Sequence, residues 1–378
     1  MIVHFTTVHP RHDTRIRVKE VATLSARFES ITLLVQDGKG DSLECDGRVR
    51  IIDVGAPRGR FLRAVRGSWR MWRAIRRIRP EIAHFHDPEL IPVGLLLKFA
   101  GCKVIYDVHE DVAGSIRAKY WIPSLLRWPV AGLARLVESL GAMFFDGIVA
   151  ATPPIAKQFP QHKAVLVQNF PLLEELVGAT RVPFEQRPPH AVYVGGLTTI
   201  RSAHEIVEAT SKVPENCGFR LRLAGSIAPP SLEQKLKAKK GWERIDHCGW
   251  LNRREVAELL AQARVGLVLF HPAPNHTESQ PNKLFEYMSA GIPVIASDFP
   301  LWRKIVEGAG CGILVDPKDP QAIADAMEWM IHNPQETEEM GRRGRAAVER
   351  EYNWPREGEK LVQFYARLLR GEEAGAHA

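Results

Sequence analysis

The stretch His271–Pro300, HPAPNHTESQPNKLFEYMSAGIPVIASDFP, decides the fold. Just before it, Val265–Phe270 is an unbroken apolar run with the length of a buried strand. A loop rich in proline and histidine follows. A helix is predicted to open near Pro281, because proline suits a first helical position. Ala290-Gly291 ends it with a glycine stop, and Pro293–Ser297 reads as the next strand. Strand, loop, helix and strand make a βαβ crossover, and open parallel sheets bind ligands outside the carboxyl ends of their strands. The loop carrying Glu278 falls on that edge, and Glu286 lies eight residues later on the first turns of the helix. Two carboxylates near a helix N-terminus are a candidate ligand site. On spacing alone, a helix-end charge at Glu278 and a solvated face at Glu286 account for them better.

The same alternation runs outward through the chain. In the first half, Ile2–Val8, Ile31–Gln36, Val49–Val54, Ile82–His86, Lys103–His109, Gly147–Thr152 and Ala164–Gln168 read as strands. Helical periodicity fills Asp13–Phe28, Leu62–Arg79 and Leu125–Phe145. From Asn169 to Pro189, prolines among charges suggest a linker. Strands then resume at His190–Gly195, Arg220–Ala224, Ile245–Gly249, Val265–Phe270, Pro293–Ser297 and Cys311–Val315, with helices between several of them. The fold class is therefore α/β, with two doubly wound, Rossmann-like domains expected to face each other across a cleft. Expected boundaries are 1–170, a linker at 171–189, a second domain at 190–352, and a helix with a frayed tail at 353–378.

A chain of 378 residues, 45% hydrophobic and 25% charged, is long enough for two such cores. No leader sequence is visible and no apolar run reaches the roughly 20 residues of a spanning helix. The five cysteines show no metal-type spacing and read as reduced, mostly buried and structural. The cytoplasm is the expected location. Net charge is +7, and Pro57–Pro80 holds nine arginines and no acid, with Phe61, Trp69, Met71 and Trp72 interleaved. A solvated amphipathic helix explains this stretch as well as an anionic membrane surface met through Arg58–Arg79 does. No nucleic-acid module accompanies it.

Tyr193-Val-Gly-Gly-Leu197 closes the first strand of the second domain, where Gly195 and Gly196 let backbone approach a ligand. Arg201 follows just before a helix, a setting that suits phosphate. Neither a G-x-G-x-x-G nor a P-loop fingerprint is present.

These segments together resemble the retaining family 4 glycosyltransferases. The E-x7-E run Glu278 to Glu286, continuing as Asn282-Lys-Leu-Phe-Glu-Tyr-Met-Ser-Ala-Gly-Ile-Pro-Val-Ile-Ala-Ser297, is similar to the family signature. Asp13-Thr-Arg-Ile16, Ile105-Tyr-Asp-Val-His-Glu-Asp111, Tyr193-Val-Gly-Gly-Leu197 with Arg201, and Val315-Asp-Pro-Lys-Asp-Pro320 agree with it. The resemblance implies a GT-B fold, with the donor bound mainly by the second domain, the acceptor by the first, and a last helix crossing back. It implies that Glu286 binds ribose and Glu278 the donor sugar, with backbone near Lys283 and Leu284 on the diphosphate. Arg201 takes the place of the family's basic residue, and His109 lies near the transferred sugar. Where a second basic residue is common, this chain has Gly196.

The implied reaction moves a sugar from a UDP- or GDP-linked donor to an acceptor hydroxyl with retention. No cofactor and no metal are implied, there being no Asp-x-Asp. Asp87, Glu110 and Asp111 are expected to orient His109 or cap helices. Arg11, Arg15 and Arg17, beside the helix cap Asp13, are candidates for an anionic acceptor such as a lipid-linked pyrophosphate sugar, or else are solvated. That acceptor, with the basic stretch, implies a peripheral enzyme of surface-polysaccharide synthesis on the inner membrane face. The alternatives are a nucleotide-sugar 2-epimerase of the same fold and a catalytically silent sugar-nucleotide-binding module.

Overall fold

The computed structural model describes residues 1–57, 59, 62–118, 122–176 and 182–371. Arg58, Arg60 and Phe61 of the basic stretch, residues 177–181 of the expected linker and the tail 372–378 lie outside the described residues. The chain divides into two units. One comprises Met1–Asn169 with Pro355–Ala378, the other Phe170–Trp354.

The first unit is built on an eight-stranded sheet in the order β3-β4-β2-β1-β5-β6-β7-β8. Its strands are β1 (Ile2–Phe5), β2 (Ile31–Val35), β3 (Ser42–Glu44), β4 (Val49–Asp53), β5 (Ile82–Phe85), β6 (Lys103–Val108), β7 (Gly147–Ala150) and β8 (Ala164–Leu166). All pair in parallel except β3 with β4. Strands such as β1, β2 and β5 are buried along their whole length, as strands covered on both faces must be. Going from β1, the chain moves outward to β2, then returns to place β5 on the other side of β1. This reversal is a topological switch point, and the loops after β1 and β5 part there. The last helix, Trp354–Arg370, packs into this unit from Pro355 onward, where Glu357 accepts a hydrogen bond from Gln168 N–H at 2.8 Å.

The second unit holds a six-stranded parallel sheet, β11-β10-β9-β12-β13-β14. Its strands are β9 (His190–Val194), β10 (Arg220–Ala224), β11 (Ile245–Gly249), β12 (Val265–Val268), β13 (Val294–Ser297) and β14 (Gly312–Val315). Here the switch point lies between β9 and β12. Described residues on either side of 177–181 pack into this unit: Leu176 and Phe184 are buried, Leu176 within a hydrophobic core cluster of the unit.

Several local expectations are revised. The segment after Asp13 is π-helical over Thr14–Val21, then α-helical only over Ala22–Ser25. Val18 N–H bonds the Asp13 carbonyl five residues back, so Arg15 and Glu20 share one inward side. Pro281 is the N-cap of Asn282–Ser289 rather than its first residue. The loop before it contains a short turn, Pro274–Thr277. The cysteines are all free, but only Cys311 is buried and Cys45 is exposed.

Candidate functional site

In the second unit, the carboxyl ends of β9 and β10 approach very closely. Gly195 has φ +116° and Gly225 has φ +137°, and a Cβ on Gly225 would lie 2.2 Å from the Gly195 carbonyl oxygen. Only glycine fits such a contact at positive φ. Gly196 is different: its φ is ordinary, and a Cβ there would meet Arg201 Nη1 at 3.6 Å, a normal contact. The Arg201 guanidinium donates to the Gly196 carbonyl at 2.7 Å and lies 5.4 Å from the centre of the Phe270 ring.

Lys283 enters this edge from the first turn of the helix Asn282–Ser289. The side chain is buried, and Nζ sits 3.7 Å over the Tyr193 ring without a hydrogen-bond acceptor among the described residues. Phe270 lies on another side, its ring centre 5.5 Å from Nζ. Tyr193 O–H donates to the Gly196 carbonyl at 3.1 Å, and Tyr287 oxygen accepts from Val194 N–H at 2.8 Å. Burial and the nearby Arg201 cation push the Lys283 ammonium well below the usual lysine range, while Glu286 pulls the other way too weakly to restore it. A buried amine without an acceptor is costly, which makes this position suited to an anion.

Glu286 lies one turn further along the helix and is not a solvated face. Its carboxylate accepts from Arg253 at 2.8 Å, and the same guanidinium holds Glu175 at 2.7 Å. One Glu286 oxygen is thereby oriented and the other remains available. Glu278 is exposed at the end of the turn Pro274–Thr277, and its carboxylate makes no ion pair or hydrogen bond among the described residues. The loop between is pinned. His271 N–H donates to Ile200 O at 2.8 Å, Trp302 Nε1–H donates to Ser279 O at 2.7 Å, and His271 lies 3.1 Å from Glu205. Leu284 is fully buried, and its N–H donates to the Pro281 carbonyl at 3.0 Å. Gly195, Gly196, Arg201, Lys283, Leu284, Glu278 and Glu286 therefore all belong to one sheet edge and the loop beside it. Arg253, Gly225 and Tyr287 were not legible in advance.

In the first unit His109 follows β6 and is half-buried. Its Nε2 lies 2.9 Å from Asp107 Oδ2 and 3.3 Å from His86 Nδ1. Asp107, not Asp87, Glu110 or Asp111, is the carboxylate against His109. The signal was present, since two residues apart on a strand means the same face. Asp87 instead accepts from Thr7 N–H at 2.6 Å and the Thr6 hydroxyl at 2.8 Å. Glu110 accepts from Ser115, and Asp111 lies 3.9 Å from Arg117.

The buried groups behind Asp107 have one consistent set of tautomers. Burial alone would raise Asp107, but Arg15 at 2.8 Å and His109 outweigh it and hold the carboxylate well below its usual range. An ionised Asp107 accepts from His86 Nδ1 at 3.1 Å, so the His86 Nδ1 carries the proton. Burial holds His86 neutral, its pKa lowered to about 4. Its Nε2 is then an acceptor for His4 Nδ1 at 3.0 Å, and His4 Nε2 accepts from the Tyr365 hydroxyl at 3.0 Å. Tyr365 in turn accepts from His84 Nδ1 at 2.6 Å. The donors run one way, His84 to Tyr365 to His4 to His86 to Asp107. His4 and His84 are also kept neutral by burial.

The expectation that Arg11, Arg15 and Arg17 meet an anionic acceptor, or are solvated, is corrected. Arg11 is buried against Asp37 at 2.6 Å, Arg15 against Asp107 and Glu20, and Arg17 against Glu44 at 2.8 Å. Each guanidinium already has a carboxylate partner, and a buried cation is tolerable only when so paired. Asp13 caps its helix, accepting from Arg15 N–H at 2.9 Å and Ile16 N–H at 3.0 Å. His9 lies 3.1 Å away. Burial opposes the ionised Asp13, yet the His9 and Ile16 contacts hold it well below its usual range.

A family model described as glycosyl transferases group 1 matches residues 180–347, and one described as a glycosyl transferase 4-like domain matches residues 18–169. An alpha-D-kanosaminyltransferase of Streptomyces kanamyceticus is 22% identical over 48% of this chain and 46% of its own length. A phosphatidyl-myo-inositol mannosyltransferase of Mycobacterium leprae is 31% identical over 35% of each chain. These matches thus span less than half the length of either relative. Among solved structures, sucrose-phosphate synthase of Thermosynechococcus elongatus superposes with a TM-score of 0.78 at 17% identity, covering 98% of this chain and 99% of that one. The Anabaena protein HepE, solved in complex with UDP, gives 0.70 at 12% identity over 98% and 100%.

Proposed function

Because this chain belongs to the group 1 glycosyl transferases, we propose that it moves a sugar from a UDP- or GDP-linked donor to an acceptor hydroxyl with retained anomeric configuration. Its two parallel-sheet, Rossmann-like units have the GT-B fold. The observation that carries the donor assignment is Lys283: a buried amine without an acceptor, set at the β9/β12 switch point beside Gly195 and Arg201. A diphosphate supplies the anion that this position lacks. The UDP and UDP-glucose complexes of the Anabaena relative support the same class of donor.

In this reading Lys283, Arg201 and the backbone N–H of Gly196 hold the diphosphate, with Gly195 and Leu284 shaping the edge, since their N–H groups already donate to Ala224 O at 2.8 Å and Pro281 O at 3.0 Å. Glu286, oriented by Arg253, accepts from the ribose hydroxyls, and Glu278 accepts from the sugar. His109 commits Nε2–H to Asp107 and keeps Nδ1 as an acceptor for a sugar hydroxyl. As the bond from C1 to the phosphate oxygen breaks, its electron pair goes to the diphosphate, where fixed cations stabilise the growing charge. The acceptor oxygen then bonds C1 from the same face, and its proton passes to the departing phosphate oxygen. Arg201 and Lys283 together take the part of the basic residue replaced by Gly196.

The chemistry is read as metal-independent. His4, Glu20, His84 and His86 could group ligand atoms within 4.8 Å, as could His86, Asp107 and His109. The Arg15 guanidinium is 3.0 Å from Glu20 and 2.8 Å from Asp107, so a dication there would face a fixed positive charge. A lipid-linked acceptor and peripheral attachment at the inner membrane face complete the reading. Arg66, Arg70, Arg73, Arg76 and Arg77 are exposed on or beside the helix Ser68–Ile78, which supports contact with anionic lipid. No described helix is long and apolar enough to cross a membrane. The relatives named above are transferases and nothing favours an epimerase or a silent module. The test is transfer of radiolabelled sugar from UDP- and GDP-sugars into a bacterial lipid extract in EDTA. Wild type should label the lipid and His109→Ala should not; labelling by the variant at the wild-type rate overturns the His109 role.

A further inference from the structure

The helix Ser124–Phe144 is built inside out. The residues it buries are small or polar: Ala131, Glu138, Gly141 and Ala142. Its large apolar side chains point to solvent, among them Leu125 at 89% exposure, Trp128 at 70%, Leu133, Leu136, Leu140 and Met143. On the neighbouring helix Ile91–Phe99, Leu96 and Phe99 are exposed as well, Phe99 at 75% and with its ring 6.0 Å from that of Phe144. A contiguous apolar face of this kind is rare on a surface left to water and marks an interaction site. The acid of the helix, Glu138, is turned inward, where it accepts from the Tyr106 hydroxyl at 2.9 Å. The exposed side carries Arg135. Arg127 and Arg117 flank its start, Arg117 lying 5.2 Å from the Trp128 ring, and Lys163 bonds the Met143 carbonyl at its end.

We propose that the exposed face of Ser124–Phe144, with Leu96 and Phe99, inserts into the interfacial layer of an anionic phospholipid bilayer. The inference deepens the membrane reading above and rests on it, because Ile91–Phe99 packs against both this helix and the arginine-bearing helix Ser68–Ile78. Apolar side chains rimmed by cations, with tryptophan among them, match the acyl boundary below and the phosphate layer above. Charge decides against a second copy as the occupant: a two-fold contact would set the same cationic rim against itself, whereas anionic headgroups neutralise it.

The test is co-sedimentation with phosphatidylcholine vesicles with and without phosphatidylglycerol, together with analytical ultracentrifugation without lipid. Three proteins are compared: wild type, Leu133→Glu/Leu140→Glu and Arg70→Glu/Arg73→Glu. All three should melt at the same temperature, since the altered residues are exposed. Wild type should bind phosphatidylglycerol vesicles as a monomer, and brominated lipid should quench its fluorescence less after Trp128→Phe. The leucine pair should lower the partition about a hundredfold, roughly tenfold for each buried side chain lost. If the arginine pair abolishes binding while the leucine pair binds as wild type, the basic-helix reading stands and this inference falls. If wild type ignores both vesicles, both fall. A lipid-indifferent dimer that the leucine pair turns monomeric would make the face a self-association surface and overturn the proposal.

Discussion

Replacing Lys283 by Met should weaken UDP binding and at the same time stabilise the free protein. The two effects have one cause. Nζ lies over Tyr193 at 3.7 Å with no acceptor, and methionine keeps most of the stem while removing the buried amine. An unsatisfied buried polar group costs about 1–3 kcal/mol. At about 2–4 °C per kcal/mol for a domain of this size, the melting temperature should rise by several degrees. A charge-assisted hydrogen bond to phosphate contributes about 1.5–3 kcal/mol, so the UDP dissociation constant should rise about 10- to 150-fold.

The pH dependence follows from the same displaced titration. Native Lys283 is held well below the ordinary lysine range, so the unfolded chain binds the extra proton between the native value and about 10.4. Wild-type stability therefore rises with pH in that window through this group, and Lys283→Met lacks the slope. Diphosphate favours the ammonium, so UDP should bind with uptake of up to about one proton where the free amine is neutral, and affinity should then fall about tenfold per pH unit. Calorimetry in PIPES and in Tris, whose ionisation enthalpies differ, measures the uptake, and a thermal melt measures the stability. A variant that binds UDP like wild type, or that melts lower with unchanged binding, refutes the assignment.

Other perturbations have distinct signatures. Glu286→Ala should raise the UDP dissociation constant about tenfold by calorimetry, for loss of one or two ribose hydrogen bonds; unchanged affinity removes the ribose role. Tyr365→Phe leaves His84 Nδ1 without its acceptor and His4 Nε2 without its donor, so urea unfolding should show a loss of about 2–5 kcal/mol, and nitrogen NMR should show altered imidazole tautomers. Burial raises Glu138 to about 7, so this group stabilises the fold fully at acid pH and that stability is lost as pH rises through about 7. Glu138→Gln should thus gain about 3 kcal/mol on wild type between pH 4.5 and pH 8, and parallel denaturation curves across that range would contradict the inward placement.

Much of the fold was legible because parallel strands covered on both faces leave short β-branched runs. Each of the thirteen runs singled out as strands contains one, within a few residues at its ends. The antiparallel strand Ser42–Glu44 was not legible: it is three residues long and has no apolar face. Helices Val112–Ala118, Pro230–Lys237, Pro300–Ala309 and Pro334–Arg350 escaped for lack of a clean stripe or behind an initial proline. At the candidate site, glycine pairs and carboxylates were visible as residue types, whereas their partners were not. Nothing in spacing ties Arg253 to Glu286, or Arg15 to Asp107, which is 92 residues away. The arginines near Asp13 were misread for the same reason. Local sequence shows a charge but not the distant carboxylate that buries it.

The assignment of a nucleoside diphosphate sugar to the β9/β12 edge is tested most directly by a thermal-shift screen of UDP- and GDP-sugars in EDTA. At least one should raise the melting temperature of wild type by several degrees through mass action, and should shift Lys283→Met and Glu286→Ala much less. No shift of the wild type by any of them at millimolar concentration, or equal shifts in all three proteins, would contradict it.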